Sequence, residues 1–325
     1  MASIKNNLTG EITLLNSQHV FGRSKHNHTC ILESDVSKSH ATICWKDGNW
    51  YLQDHSRNGT LINGEYIRHT SIKLLKGAQI QFGEDKSTQW TLLNLQVPTS
   101  YLKSMEGEKS IIELTSCHLL PNEEKPIVSI YQGIEKEWKA EINDTLMELE
   151  HGNTYEFLNT TWQFIQNEIL EDTLDYGEAT KEAKFHFYLS ADEEKVKIII
   201  NINDLELNLG ERIHHFILLL LARKRLVDLN HGYDTPEQGW MSTDELTHKL
   251  GKELVKEIDA YYLNLQIHRL RKQLIEINPF GHQFTDVIER RNGEIRFAYR
   301  NFEISKEGQP KGNLLPEIKN LSFYN

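Results

Sequence analysis

"VSKSHATI" occupies residues 36–43 and sets Ser37 three positions before His40 inside a strand-like run. Such a pair has three readings: a nucleophile with its base, a phosphate-binding turn, or a chance neighbourhood. A catalytic pair needs a third group to orient the histidine and a loop to hold an oxyanion. No acidic residue nearby is evidently placed for the first task, and no G-x-S-x-G elbow supplies the second. No catalytic residue is assigned, and the chain is not read as an enzyme.

Working outward, residues 11–96 are short alternating segments broken by turn residues. "EITLL", "HATICW", "NWYLQD", "TLING", "AQIQFG" and "WTLLNL" each switch between apolar and polar positions, the period of a half-buried strand. "KDGNW" and "INGEY" carry Asp-Gly and Asn-Gly pairs, the strongest short hairpin signal. The spacing predicts an all-β antiparallel sandwich. "FGR" (21–23) precedes the opening octapeptide and "HSRNGTLING" (55–64) follows it. In that order and spacing, the three blocks resemble the forkhead-associated (FHA) domain, a β-sandwich that binds phosphothreonine peptides, over residues 8–96. The resemblance implies that Arg23 and Ser37 hold the phosphate, that Asn58 holds the peptide backbone, and that Lys38 and Arg57 also touch the peptide. Gly22, His40, Gly59 and Asn63 are then structural supports of the phosphate loop, with His40 bracing it from inside. A permanently charged planar guanidinium suits a phosphate dianion, and a hydroxyl adds a neutral donor. His26 and His28 invite a metal reading, but partner ligands are missing, so no metal and no cofactor is expected.

Charge is unevenly distributed along the chain. The formal net charge is −11. Residues 11–96 hold 9 Lys and Arg against 8 Asp and Glu, residues 97–204 hold 9 against 22, and residues 211–300 hold 14 against 13. The acidity belongs to the middle, and the two ends are near neutral. Residues 97–165 read as β-rich, and 166–184 as an acidic linker. Within them "LEHGNTYEFLNTTWQFIQN" (149–167) echoes "LLKGAQIQFGEDKSTQWTLLN" (74–94): a turn glycine, an aromatic-ended strand, a loop, then Trp and a second strand. Either the middle is a degenerate second FHA-like unit, or two amphipathic hairpins look alike. Three dispersed cysteines, Cys30, Cys44 and Cys117, fit reduced thiols. "FILLLLA" (216–222) is too short to span a bilayer. With no signal-like N-terminus, a cytoplasmic location without membrane contact is expected.

From 185 the pattern becomes strands, three helical segments and a hairpin about Asn292-Gly293. "STDELTHKLG" has a Ser/Thr cap, an acidic first turn and a terminal Gly. "LQIHRLRKQL" (265–274) is similar to the last helix of the OmpR-type winged helix-turn-helix domain, and the resemblance covers 185–300, leaving 301–325 as a tail. Leu263, Ile267, Leu270 and Leu274 form one helical stripe for the core. Leu265, His268, Arg269, Arg271 and Lys272 then fall toward DNA, with Arg290 and Arg291 on the wing. Residues 266–300 carry 7 basic and 4 acidic residues, so a lone monomer should bind weakly, and a homodimer or partner protein is expected to strengthen binding. The fold class expected is multidomain, mainly β plus α+β. The function expected is that of a bacterial transcription regulator with two partners, a threonine-phosphorylated protein (a Ser/Thr kinase or its substrate) and double-stranded DNA. The alternative is a phosphopeptide-dependent scaffold whose winged helix contacts protein.

Overall fold

A computed structural model describes residues 1–106, 110–142, 145–167, 180–203, 205–278, 280–291 and 293–306, and the backbone of 309–314. Most of the segment 166–184, Asn292 of the expected hairpin, and residues 307–308 and 315–325 of the expected tail lie outside the described residues. The chain divides into two compact units, 1–114 with 150–173, and 115–149 with 174–325.

In the first unit, alternation along each strand decides which side chains go inside. One sheet runs in the order Ile12–Leu14, Ser3–Asn6, Gln89–Asn94, Gln79–Gln81, Thr60–Ile62, Glu65–Ile67. The other runs Thr29–Cys30, Gln18–Gly22, Ala41–Lys46, Asn49–Asp54, Ser71–Lys73. Their inward faces share one core of Phe21, Ile43, Trp50, Leu52, Ile80, Phe82, Trp90 and Leu92. Phe21 stacks on Phe82 at 4.7 Å between ring centroids. Asp47 and Gly48 (φ 48° and 71°), like Asn63 and Gly64 (53° and 84°), both take positive φ, the conformation that a two-residue hairpin needs to match strand twist. The strand-rich class read from the sequence is therefore what the fold shows.

A four-stranded sheet completes this unit: Ile111–Glu113, Tyr101–Ser104, Thr160–Ile165, Thr154–Phe157. It repeats the order of the first four strands of the six-stranded sheet, and local bonds repeat too. Gly77 N–H donates to the Leu92 carbonyl at 2.8 Å, and Gly152 N–H to that of Phe164 at 2.8 Å. Leu15 N–H donates to Ala2, and Leu114 N–H to Ser100, each at 2.9 Å.

The second unit opens with an antiparallel meander, Cys117–Leu120, Val128–Gln132, Trp138–Ile142, Thr145–Leu149. Its order parallels the last four strands of the five-stranded sheet above. The rest is a helical body. Its five-stranded sheet runs Leu205–Glu211, Val196–Ile202, Lys184–Leu189, Phe302–Lys306, Gln309–Leu314. Residues expected as a tail from 301 thus supply two strands, because Phe302 and Ile304 are buried in the apolar core. The helices are α1 (His215–Asn230), α2 (Thr243–Leu254) and α3 (Ala260–Ile275). Ser242 Oγ caps α2 by accepting from Glu245 N–H at 3.1 Å, and Asp259 caps α3 by accepting from Tyr262 N–H at 2.7 Å. Helix α2 does not stop at Gly251 but runs to Leu254, where Val255 turns left-handed at φ 51°. Met241–Ser242, just before α2, pairs with Glu294–Phe297, which pairs with Ile288–Arg291 after α3, and the three form one sheet. Leu263, Ile267, Leu270 and Leu274 all face the core. Among the described residues no helix is long and apolar enough to cross a membrane.

Candidate functional site

The strand Gln18–Gly22 ends where Gly22 lets two backbones approach. A Cβ there would lie 2.5 Å from the Lys38 carbonyl oxygen and 2.8 Å from His40 N. The next residues lock to the 36–40 loop: Arg23 N–H donates to the Ser37 carbonyl at 2.9 Å and Ser24 N–H to that of Lys38 at 3.1 Å. Asn27 Nδ2 also donates to the Lys38 carbonyl, at 2.6 Å.

His40 is fully buried and joins this loop to the next. Ser37 N–H donates to its Nδ1 at 3.2 Å, and its Nε2 faces the Gly59 carbonyl at 3.2 Å. An Nδ1 that accepts requires the proton on Nε2, so the ring is the neutral Nε2–H tautomer. Burial holds its pKa below the ordinary histidine value, outweighing the Gly59 bond and the charges of Asp54 and Asp35.

Those bonds leave a defined set of polar atoms facing outward. Arg23 Nε donates to the Val36 carbonyl at 3.2 Å, which steers the guanidinium and leaves its two NH2 groups for a ligand. Ser37 Oγ accepts from Arg57 N–H at 3.0 Å, so its own hydrogen is available to donate. Asn58 Nδ2 donates to the Asp35 carbonyl at 2.9 Å, leaving Oδ1 and a second N–H. Lys38 and Arg57 are exposed beside them. Asn63 serves its own turn: its Oδ1 accepts from Gln79 N–H at 2.9 Å, tying the hairpin to the neighbouring strand Gln79–Gln81. Five side chains, Arg23, Ser37 and Lys38 from residues 23–40 and Arg57 and Asn58 from the following loop, thus form a cationic surface whose free donors suit a phosphate dianion.

Two supporting residues were not anticipated. Asp54 is buried and accepts from Ser56 Oγ (2.8 Å), Thr60 Oγ1 (2.7 Å) and His69 N–H (2.9 Å), while Ser56 Oγ receives Gly59 N–H at 2.7 Å. Burial alone would raise the Asp54 pKa, but the bonds from Thr60, His69 and Ser56 hold it low. The signal was present: Asp54 keeps the inward phase of Trp50 and Leu52, and a carboxylate in that phase must be satisfied internally. His28 Nδ1 accepts from Val20 N–H at 3.1 Å. Among the described residues no group of three or more His, Cys, Asp or Glu is placed to hold a metal ion.

Three of the residues expected to face DNA are covered. His268 is 5% and Arg271 1% exposed, and the Arg290 side chain is 4% exposed. The meander lies over them: Cys117 Sγ and His268 Nδ1 are 3.1 Å apart, Arg271 sits 4.1 Å above the Tyr131 ring, and Glu141 pairs with both Arg271 (2.8 Å) and Arg290. His268 and Arg271 lie off the stripe Leu263, Ile267, Leu270, Leu274, and the meander covers that flank. Arg291 is drawn to Glu237 (2.8 Å), Glu294 (3.1 Å) and the Trp240 ring (4.3 Å). Arg269 and Lys272 are exposed and Leu265 is half-buried.

The FHA domain family model matches residues 19–83. The chain carries an FHA domain, and FHA domains are phosphopeptide-recognition modules rather than enzymes. Solved structures similar to this chain include Mycobacterium tuberculosis EmbR in complex with a low-affinity phosphopeptide, at 23% identity, covering 30% of this chain and 25% of that one, TM-score 0.27. Another is the FHA domain of an Arabidopsis thaliana hypothetical protein, at 28% identity, covering 30% and 91%, TM-score 0.27. A third comes from a study of phosphothreonine-dependent FHA domain interactions, at 20% identity, covering 30% and 98%, TM-score 0.26. No curated protein sequence matches the chain.

Proposed function

We propose that this protein is a phosphothreonine-dependent regulator. Its FHA pocket docks a threonine-phosphorylated protein, a Ser/Thr kinase or its substrate, through Arg23, Ser37, Lys38, Arg57 and Asn58. The observation that carries this reading is the division of labour in Arg23 and Ser37. Arg23 spends its Nε on the Val36 carbonyl and Ser37 spends an acceptor lone pair on Arg57 N–H of the next loop, which leaves the guanidinium NH2 groups and the Ser37 hydroxyl hydrogen for a ligand. The output is a winged helix that binds promoter DNA through Arg269 and Lys272, strengthened by a homodimer or partner protein. Support comes from the order strands, three helices, hairpin, and from the exposure of those two cations. The free thiols Cys30, Cys44 and Cys117 fit a reducing, cytoplasmic setting. The covering of His268, Arg271 and Arg290 favours a second reading, a scaffold whose winged helix binds protein.

Titration calorimetry with one peptide in phosphothreonine, phosphoserine and unmodified forms tests the pocket. Phosphothreonine binding should fall at least tenfold in Arg23→Ala, and wild-type affinity in that variant refutes the reading. For the output, Arg269→Ala and Lys272→Ala should each lower the salt slope of duplex binding by about 1 if the cation contacts a phosphate. Unchanged slopes favour the scaffold.

A further inference from the structure

We infer that Arg271 of α3 and Arg290 of the strand Ile288–Arg291 form an anion site for a phosphodiester, and that Glu141 of the meander fills it as an internal pseudo-ligand. This rests on the DNA reading above and names how that surface is regulated.

The chemistry of the contact is that of a phosphate clamp. One anionic group offers two oxygens, and a guanidinium takes each: Arg271 approaches Oε2 at 2.8 Å and Arg290 approaches Oε1. A phosphodiester also offers two free oxygens on one negative charge, so it can take the place of the carboxylate without changing the charge count. Burial would raise the pKa of Glu141, but Arg271 and Arg290 outweigh it and keep the carboxylate ionised. Exposed Arg269 and Lys272 stand on the same helix as Arg271, so an anion entering the clamp extends an existing cationic surface.

The cover is joined to α3 in a way that permits exchange. The apolar core of the helical body spans Ala183 to Ile304 and includes no side chain of the meander. Polar pairs join the meander to that body: Glu141 with the two arginines, Cys117 with His268, Tyr131 under Arg271, and Lys139 with Asp286 at 3.0 Å, while Leu119, Ile127 and Val128 line a small cavity with Ile267. Ionic contacts of this kind can be replaced one for one by a competing anion, whereas a shared apolar core would have to be exposed. The meander also repeats the strand order of the sheet that carries the phosphate loops in the FHA domain. In that domain 18 residues (23–40) separate Gln18–Gly22 from Ala41–Lys46; here seven (121–127) separate Cys117–Leu120 from Val128–Gln132. No loop in the meander corresponds to the one bearing Arg23 and Ser37, and its face serves α3.

The test uses the full chain, heparin-agarose as a generic polyanion, and a fluorescent 25-base-pair duplex whose affinity is followed against salt. Glu141→Gln should elute later from heparin, bind the duplex at least tenfold tighter, and steepen the salt slope by at least about 1, for the Arg271 guanidinium. Adding Arg271→Ala should take back at least that part of the steepening. Lys139→Ala loosens the cover without touching the clamp and should shift both readouts in the same direction by a smaller amount, which keeps the test open if Glu141→Gln does not fold. Folded variants that match wild type on heparin and duplex overturn the inference, and if wild type nonetheless binds duplex with a slope set by Arg269 and Lys272, the DNA reading survives. A gain on heparin with none on duplex keeps the clamp and its Glu141 latch, and overturns DNA as the ligand.

Discussion

Replacing His40 by alanine tests the central brace of the phosphate pocket. The imidazole satisfies two backbone groups at once, accepting from Ser37 N–H and donating to the Gly59 carbonyl, and it packs edge-on against Phe82 at 5.8 Å. Its removal takes the partner from both groups, which belong to the half-buried residues Ser37 and Gly59. An orphaned group closed to water costs about 1–3 kcal/mol and a half-wet one less, so with the lost ring volume the FHA domain should lose about 2–4 kcal/mol. With a urea m-value of about 1–3 kcal/mol/M, the midpoint falls by about 2 M. Tryptophan fluorescence in urea gives the stability, and titration with a phosphothreonine peptide in the absence of urea gives the function. Affinity should drop at least tenfold even where the chain is folded, because Ser37 loses the bond that fixes its backbone. The pH response carries an independent sign. His40 stays neutral when folded because burial lowers its pKa, so below about 6.5, the ordinary histidine value, the unfolded chain binds the proton that the folded chain refuses. Wild-type stability therefore declines as pH falls, and His40→Ala should flatten that decline. A loss under about 1 kcal/mol with unchanged peptide affinity would refute the bracing role.

Two further outcomes are expected. Gly22→Ala places a methyl 2.5 Å from the Lys38 carbonyl oxygen, so the 36–40 loop must move; calorimetry should show at least a tenfold loss of phosphopeptide affinity, and melting a loss of about 2–3 kcal/mol. Burial, aided by the neighbouring charge of His28, lowers the His19 pKa from 6.5 to about 3. Folded His19 thus refuses a proton across that interval, and urea midpoints should show about 2 kcal/mol lost by pH 5 and about 5 kcal/mol by pH 3, with His19→Phe reducing the slope.

What could be read from the chain followed from what periodicity encodes. Alternation in "HATICW" and "NWYLQD" gives strands because neighbours on a pleat face opposite sides, and Ala41, Ile43, Trp50 and Leu52 are indeed inside. The stripe Leu263, Ile267, Leu270, Leu274 found the core for the same reason in a helix. Periodicity identifies the face that meets the nearest core and is silent on a distant segment covering another face. Tyr131 and Glu141 lie more than a hundred residues before Arg271, and nothing local to "LQIHRLRKQL" announces them. The strands formed by Phe302–Lys306 and Gln309–Leu314 were missed for a related reason. A short strand at the end of a chain becomes recognisable when its partner, here Lys184–Leu189, is known.

Arginine counts were equally uninformative, because an arginine's meaning depends on where its counter-ion comes from. Arg23 is exposed, and its Nε donates to a neutral carbonyl, so its charge remains for an outside anion. Arg271 is buried against a carboxylate from its own chain, so its charge is already answered. Arg23 lies in a near-neutral stretch and Arg271 in a mildly basic one, so composition, if anything, points to the wrong one as free. The separation is made by Val36, which offers Arg23 only a carbonyl dipole, and by Glu141, which offers Arg271 a full negative charge. A guanidinium held by a dipole is ready for ligand at all times. One held by a carboxylate is ready only after that carboxylate leaves, and this makes the FHA pocket an open receptor and the α3 clamp a conditional one.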